Sequence, residues 1–353
     1  MTQAKKVAVI GLGHWYSAYG LARALPEYPG ATLVAAASPD GRKLQEFTST
    51  FGVRGYRDYH ELLAKEEVDV VHLATPVNEM ANATIAAARA GKHMVLGKPM
   101  AMSVDEADRM VEAVEAAGVA CLPFQAISRL RIPDLIARIR SGVIGDVRVI
   151  HQTCRWSIAE DWYRSGQPGW FADPKCVPGG AFIDEGIYWI DFFRYVTGSE
   201  IVQVDARMAN LVHTDIAVED WGMATFTLAN GVIATLEASW TINAPQRSGP
   251  SPKQNAVVRL ELVGSRGEIV DQSFRSPGRG VLAAGAADWV FERQPETPAF
   301  NPPAPFPLAH LIDCLTERRA PIATIREARH AFVAAMAAYE SARRGAPVDL
   351  RAP

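Results

Sequence analysis

Three groups of residues in this chain have types and spacings that could do chemistry. Near the N-terminus, the apolar run Val7-Ala8-Val9-Ile10 leads into Gly11-Leu12-Gly13-His14-Trp15-Tyr16, the form of a strand, a glycine turn and the start of a helix. Glycines there permit a tight turn and let a pyrophosphate approach the backbone, while free N–H groups and the dipole at the helix start attract the anion. Gly11, Gly13, His14 and Trp15 are therefore candidate cofactor contacts, with Tyr16 at the third fingerprint position, where Gly or Ala is usual. Asp184 and Tyr188 are four residues apart, so on a helix they share one face. Lys98 stands before Pro99. A phenol and an ammonium both titrate near 10, too high for proton transfer at neutral pH without help. If Lys98 lies beside Tyr188, its charge favours the phenolate and lowers the tyrosine pKa, and Asp184 is placed to orient Lys98 or to bind a substrate hydroxyl.

The end of a second strand discriminates between dinucleotides, because an acid there bonds the ribose 2′-OH and repels a 2′-phosphate. Here the run is Ala37-Ser38-Pro39-Asp40-Gly41-Arg42-Lys43, with Ser38 at the discriminating position and Arg42 and Lys43 close enough to pair with a phosphate. NADP is expected in preference to NAD. Asp40 serves as the acidic partner instead if the strand ends later. Further along, Arg155-Trp156, Asp161-Trp162-Tyr163-Arg164 and Pro168-Gly169-Trp170-Phe171 concentrate aromatic and polar groups. Flat rings beside hydrogen-bonding groups suit the C–H face and hydroxyls of a sugar, and Arg155, Trp156 and Trp170 are the candidate substrate contacts.

These residues need elements to hold them. From Lys6 to about Leu122, short apolar runs alternate with amphipathic stretches, the pattern of repeated βαβ units around a parallel sheet. Strands are expected at Val7–Ile10, Thr32–Ala37, Val68–Ala74, His93–Leu96 and Val119–Leu122, with helices near Ser17–Leu25, Arg42–Phe51, Glu79–Ala90 and Val104–Ala117. After a further helix near Ile132–Ser141 come strands in a row, Val147–Trp156, Ile201–Leu211, Trp221–Leu228, Val232–Trp240 and Val257–Val263, interrupted by a helix at Ile183–Val196. The fold class is thus α/β: a Rossmann-type doubly wound sheet in residues 1–122, then an α+β domain with a largely antiparallel open sheet in 123–353, closed by helices Leu308–Arg318 and Arg326–Arg343 that can pack back on the first domain. Residues 243–254 and 272–307 read as Pro/Gly-rich loops.

Composition restricts the partners. Across 353 residues, Lys+Arg 36 against Asp+Glu 39 gives a net charge of −3, without the basic footprint that nucleic acid or an anionic membrane requires. No stretch approaches the ~20 apolar residues of a spanning helix, and the N-terminus lacks a signal peptide's apolar region, so a cytoplasmic location is expected. The four cysteines, Cys121, Cys154, Cys176 and Cys314, form no CxxC pair and no metal-ligand spacing. Reduced thiols and no metal are expected.

Three further motifs complete the pattern: Ala74-Thr75-Pro76-Val77-Asn78; Gly91-Lys92-His93 leading to Gly97-Lys98-Pro99; and Gly179-Gly180 followed by Asp184-Glu185-Gly186-Ile187-Tyr188-Trp189-Ile190-Asp191. With the glycine turn, they resemble the glucose/fructose oxidoreductase, inositol dehydrogenase and rhizopine catabolism (Gfo/Idh/MocA) family over most of the chain. The resemblance implies a nicotinamide cofactor, hydride transfer on a sugar, polyol or related hydroxylated ring, and a homodimer or homotetramer. It adds Thr75, Pro76, Asn78 and Lys98 to the cofactor contacts, and Lys98, Asp184 and Tyr188 to both the catalytic and the substrate contacts. Three positions depart from the family pattern. Gly97 replaces Glu, Met80 stands where many members carry His, and Tyr188 replaces the His of Asp-x-Gly-x-His, as in the branch that tends to use NADP. Two assignments stay open: Tyr188 transfers the proton while Lys98 positions and tunes the reacting oxygen, or Lys98 is the direct acid/base and Tyr188 binds. The alternatives to a sugar oxidoreductase are a dehydrogenase of a cyclic non-sugar diol and a cofactor-binding regulator without turnover.

Overall fold

The computed structural model describes residues 4–156, 169–241, 257–272, 279–283, 285–288, 290–292 and 306–351. The stretches 161–164 and 243–254 singled out above lie outside them. The chain separates into two units: Met1–Leu130 with Lys175–Pro178 and Pro302–Arg329, and Arg131–Pro174 with Gly179–Asn301 and His330–Pro353.

In the first unit, strands β1 (Lys5–Ile10), β2 (Ala31–Ala37), β3 (Arg54–Tyr56), β4 (Val70–Leu73), β5 (His93–Leu96) and β6 (Cys121–Pro123) form one sheet in the order β3-β2-β1-β4-β5-β6. Every pairing is parallel. Continuous apolar runs such as Val7–Ile10 suit this sheet because both faces are covered, and all four of those residues are fully buried. Helices α1 (Trp15–Ala24), α2 (Gly41–Phe51), α3 (Tyr59–Lys65), α4 (Val77–Arg89) and α5 (Val104–Ala117) connect the strands. The strand order reverses between β1 and β4, the switch point at which doubly wound folds bind ligands.

Three elements escape the sequence pattern, β3, α3 and the short helix α6 (Ile127–Arg131), which precedes α7 (Pro133–Arg140), the helix expected near Ile132–Ser141. The strand is an edge strand of three residues, Arg-Gly-Tyr, with two of them exposed, so it has no apolar run to betray it. The division expected near Leu122 falls at Leu130, and the first unit also takes in residues 302–329. There helix α9 (Phe306–Glu317) contributes Leu308, Leu311 and Ile312 to the same core as Val7, Val9, Leu44 and Phe47.

The second unit holds a nine-stranded sheet: β7 (Val147–Arg155), β8 (Ile201–Ala209), β9 (Trp221–Leu228), β10 (Ile233–Ser239), β11 (Val257–Gly264), β12 (Glu268–Asp271), β13 (Arg279–Leu282), β14 (Val290–Glu292) and β15 (Val348–Asp349). Their order is β14-β13-β12-β11-β7-β10-β9-β8-β15, and β7 with β10 is the parallel pair in an otherwise antiparallel sheet. Short strands β13 and β14, the latter at the sheet edge, and the start of α9 occupy part of the stretch expected as loop between 272 and 307. Helix α8 (Ala181–Thr197) covers one face. Gly186 makes that approach close: a Cβ there would lie 3.1 Å from Leu236 and 3.7 Å from Ala238. Ala234, Leu236 and Ala238 of β10 therefore face the helix, and Thr235 and Glu237 face away by the two-residue alternation of a strand.

Candidate active site

The glycine turn is built against the turn that follows β4. Gly11 has φ +86°, and a Cβ there would lie 2.6 Å from the backbone of Thr75. A Cβ on Gly13 would lie 2.7 Å from the Pro76 ring. The two glycines therefore admit a neighbouring loop at close range. His14 ties this corner together: its N–H donates to the Ala74 carbonyl at 3.0 Å, and its Nε2 lies 2.9 Å from the Lys98 carbonyl. A carbonyl only accepts, so Nε2 carries the proton. His14, Thr75 and Lys98 are all buried, with Lys98 4% exposed. Trp15 opens α1, Pro76 caps α4, and Asn78 donates its backbone N–H to Cys176 within the same unit. Beneath the turn, Ser17 Oγ lies 3.0 Å from His72 Nε2. Burial, and then the nearby His14, hold the His72 pKa at about 3, so this imidazole is neutral at working pH.

The corner suits a dinucleotide. It offers a positive-φ glycine and a helix start at the switch point. In the 3₁₀ turn just past β6, buried Gln125 has an Nε2 with no hydrogen-bond partner among the described residues.

Ser38 follows β2 directly and is buried, with its hydroxyl accepting the Asp40 N–H at 3.3 Å. Asp40 caps α2: its Oδ1 accepts the N–H groups of Arg42 at 3.0 Å and Lys43 at 3.1 Å. Those bonds, Lys43 first, hold its carboxyl below the usual range. Arg57, which no sequence motif marks, lies against Gly41, where a Cβ would come within 2.1 Å of its Nη1. No ion pair among the described residues neutralises Arg42, Lys43 or Arg57.

In the second unit, Asp184 and Tyr188 lie one turn apart on α8. Asp184 is buried, and its Oδ2 accepts the indole N–H of Trp240 at 3.2 Å. Trp240 is fully buried and is held in turn by its backbone N–H to the Asp220 carbonyl at 2.7 Å and by His213 on its own carbonyl at 3.0 Å. The buried Asp220 carboxylate accepts the N–H groups of Leu211, Val212 and His213. Trp240 was visible in the sequence only as the end of a strand, and its bond to Asp184 crosses 56 residues.

The candidate substrate contacts separate. Trp156 lies with Cys154 on the α8 side, its indole N–H 3.2 Å from the Cys154 Sγ. Arg155 is on the opposite face of the sheet, its guanidinium bonded to Glu237 at 2.8 and 2.5 Å. Burial pushes the Glu237 pKa up, but Arg155 and the Trp221 indole hold the carboxyl below its ordinary range. Alternation along β7 sets this division, since buried Ile150, Gln152 and Cys154 take the helix side. Trp170 stacks on Phe171 in a short 3₁₀ turn, ring centroids 3.9 Å apart.

The profile described as "Oxidoreductase family, NAD-binding Rossmann fold" matches residues 5–124, and that of the "GFO/IDH/MocA C-terminal domain" matches 134–270. The chain is similar to the scyllo-inositol 2-dehydrogenase (NAD(+)) of Bacillus subtilis, 27% identical over 98% of this chain and 96% of that one. It is also similar to the levoglucosan dehydrogenase of Pseudarthrobacter phenanthrenivorans, 27% identical over 75% of this chain and 72% of the relative. A solved levoglucosan dehydrogenase in complex with NADH and L-sorbose shares the fold over 100% of both chains, with a TM-score of 0.84 at 23% identity. Both halves of the chain and both turns described above thus lead to one conclusion: the protein belongs to the Gfo/Idh/MocA family of NAD-binding oxidoreductases.

Proposed function

We propose that the protein is an NADP-preferring oxidoreductase that transfers hydride between the nicotinamide and a hydroxyl-bearing carbon of a sugar or polyol. The observation that carries the reading is the polar face of α8, where buried Asp184, held by Trp240, stands one turn before Tyr188. When bound, the cofactor supplies hydride acceptance or donation. The chain must then take up or return the hydroxyl proton. Tyr188 does so at its phenol oxygen, Lys98 binds the reacting oxygen and favours the phenolate, and Asp184 fixes a second hydroxyl. Trp156 offers a ring to the apolar face of the substrate. The inositol and levoglucosan dehydrogenases among the relatives support this substrate class. Replacing Tyr188 by Phe is expected to lower kcat by about 10²-fold with little change in KM. Near-normal turnover would transfer the acid/base role to Lys98. Absorbance at 340 nm with a panel of sugars, polyols and cyclic diols tests the activity as a whole, and NADPH binding without turnover on any of them overturns it.

The NADP preference rests on the α2 start. Asp40 is engaged by backbone N–H groups, Ser38 presents no acid, and Arg42, Lys43 and Arg57 supply three cations. A charge-assisted bond to phosphate contributes about 1.5–3 kcal/mol, or roughly 10- to 100-fold in affinity. Changing both Arg42 and Lys43 to Ala is therefore expected to weaken NADP binding by at least about tenfold and leave NAD binding unchanged. Equal weakening of both cofactors, measured by titration of nucleotide fluorescence, overturns the assignment.

A further inference from the structure

The N-terminal end of α8 is closed in an unusual way. A helix leaves its first backbone N–H groups without partners inside the helix. Here two residues from distant segments accept all four, from Gly180 to Ile183. The Glu219 carboxylate takes Gly180 N–H at 2.9 and 2.8 Å and Phe182 N–H at 3.0 Å. The Glu219 backbone carbonyl takes Ala181 N–H at 3.0 Å. The phenol of Tyr339, on helix α10 (Ile325–Arg344), accepts Ile183 N–H at 3.2 Å and donates its own proton to Glu219 Oε1 at 2.7 Å. The adjoining glycines leave no space for anything else. A Cβ on Gly179 would stand 2.2 Å from the Tyr339 ring, and one on Gly180 would stand 2.1 Å from the Glu219 carbonyl oxygen.

The next residue along the helix is Asp184, and its side chain is reached from the same place. Asp220 follows Glu219 directly, and its carbonyl accepts the Trp240 N–H while the Trp240 indole donates to Asp184. One dipeptide thus fixes both the backbone on which Asp184 begins its turn and the tryptophan that holds its carboxylate. A carboxylate at this end also complements the helix dipole. We propose that Glu219 and Tyr339 are positioning residues: together they latch the start of α8 in register with Trp240 and so set the placement of Asp184 and Tyr188. The inference rests on the reading that this face of α8 carries the chemistry.

The test compares Tyr339→Phe and Glu219→Gln with wild type by substrate kcat and KM, by NADPH affinity, and by hydrogen exchange across residues 180–190. Phe keeps the ring against Gly179 but cannot accept from Ile183, and Gln cannot accept with both side-chain positions. The latch predicts that kcat/KM for the substrate falls about tenfold or more, carried by kcat, while NADPH affinity stays within twofold, because misplacing a catalytic group costs rate before it costs cofactor binding. It also predicts faster exchange confined to the start of α8. Unchanged kcat in variants that only melt earlier overturns the positioning role. If wild type shows no turnover, the functional reading fails separately. The exchange pattern then decides the latch: unchanged protection at 180–184 overturns it.

Discussion

Replacing Lys98 by Met is expected to lower kcat by about 10³-fold and to leave cofactor affinity within a few fold. Two observations separate these effects. Lys98 is 4% exposed, and Met keeps a buried unbranched stem of similar length. Its contact with the glycine turn is made by its backbone carbonyl to His14, which the substitution keeps. What is lost is the ammonium. On the proposed mechanism the ammonium favours the phenolate, so its loss moves the ionisation limb of the pH–rate profile to higher pH in Lys98→Met. In Tyr188→Phe that limb disappears. Steady-state rates across pH, with nucleotide titration as the control, check both outcomes. A loss of less than about tenfold in Lys98→Met rules out a catalytic role for the side chain.

Much of the first unit is legible because each repeat announces itself locally. Val7–Ile10 is an unbroken apolar strand, the helix starts follow glycine or capping residues, and the turn at Thr75 comes straight after β4. What is not legible depends on pairs far apart in sequence. Nothing near Asp184 indicates Trp240, and nothing near Gly180 indicates Glu219 or Tyr339, because these contacts exist only once the sheet and α10 are assembled. Arg155 is a different case. The signal was present in β7, where residues 150, 152 and 154 alternate with the polar set, and counting by two places Arg155 with His151 on the face away from α8. Reading Arg155 and its neighbour Trp156 as one cluster overlooks that adjacent strand residues point in opposite directions.

Gly97→Glu, which restores the residue usual in the family, is expected to damage the protein instead of improving it. The position is buried, and a Cβ there would lie 2.6 Å from Met80 Cε and 2.7 Å from the Leu73 carbonyl oxygen. Met80 is itself fully buried, with its sulfur 3.6 Å from the Thr75 hydroxyl. Read from the sequence, Gly97 and Met80 are two separate departures from the pattern. In the structure they touch, and the methionine methyl fills the space that a side chain at 97 would enter. A carboxylate forced into that space meets a carbonyl oxygen and a thioether and loses its water, so the single variant is expected to lose about 3 kcal/mol or more of stability. It is also expected to raise the cofactor KM, since Thr75 and Lys98 flank the disturbed contact. Introducing Met80→His with it removes the methyl and offers the carboxylate a hydrogen-bonding partner. The pair is then expected to recover about 1–2 kcal/mol relative to the sum of the single changes, the size of coupling seen between residues in contact. Denaturant unfolding of the four proteins in this cycle measures that coupling directly. Simple additivity would mean that the two positions diverged from the family independently and that the contact between them carries no weight.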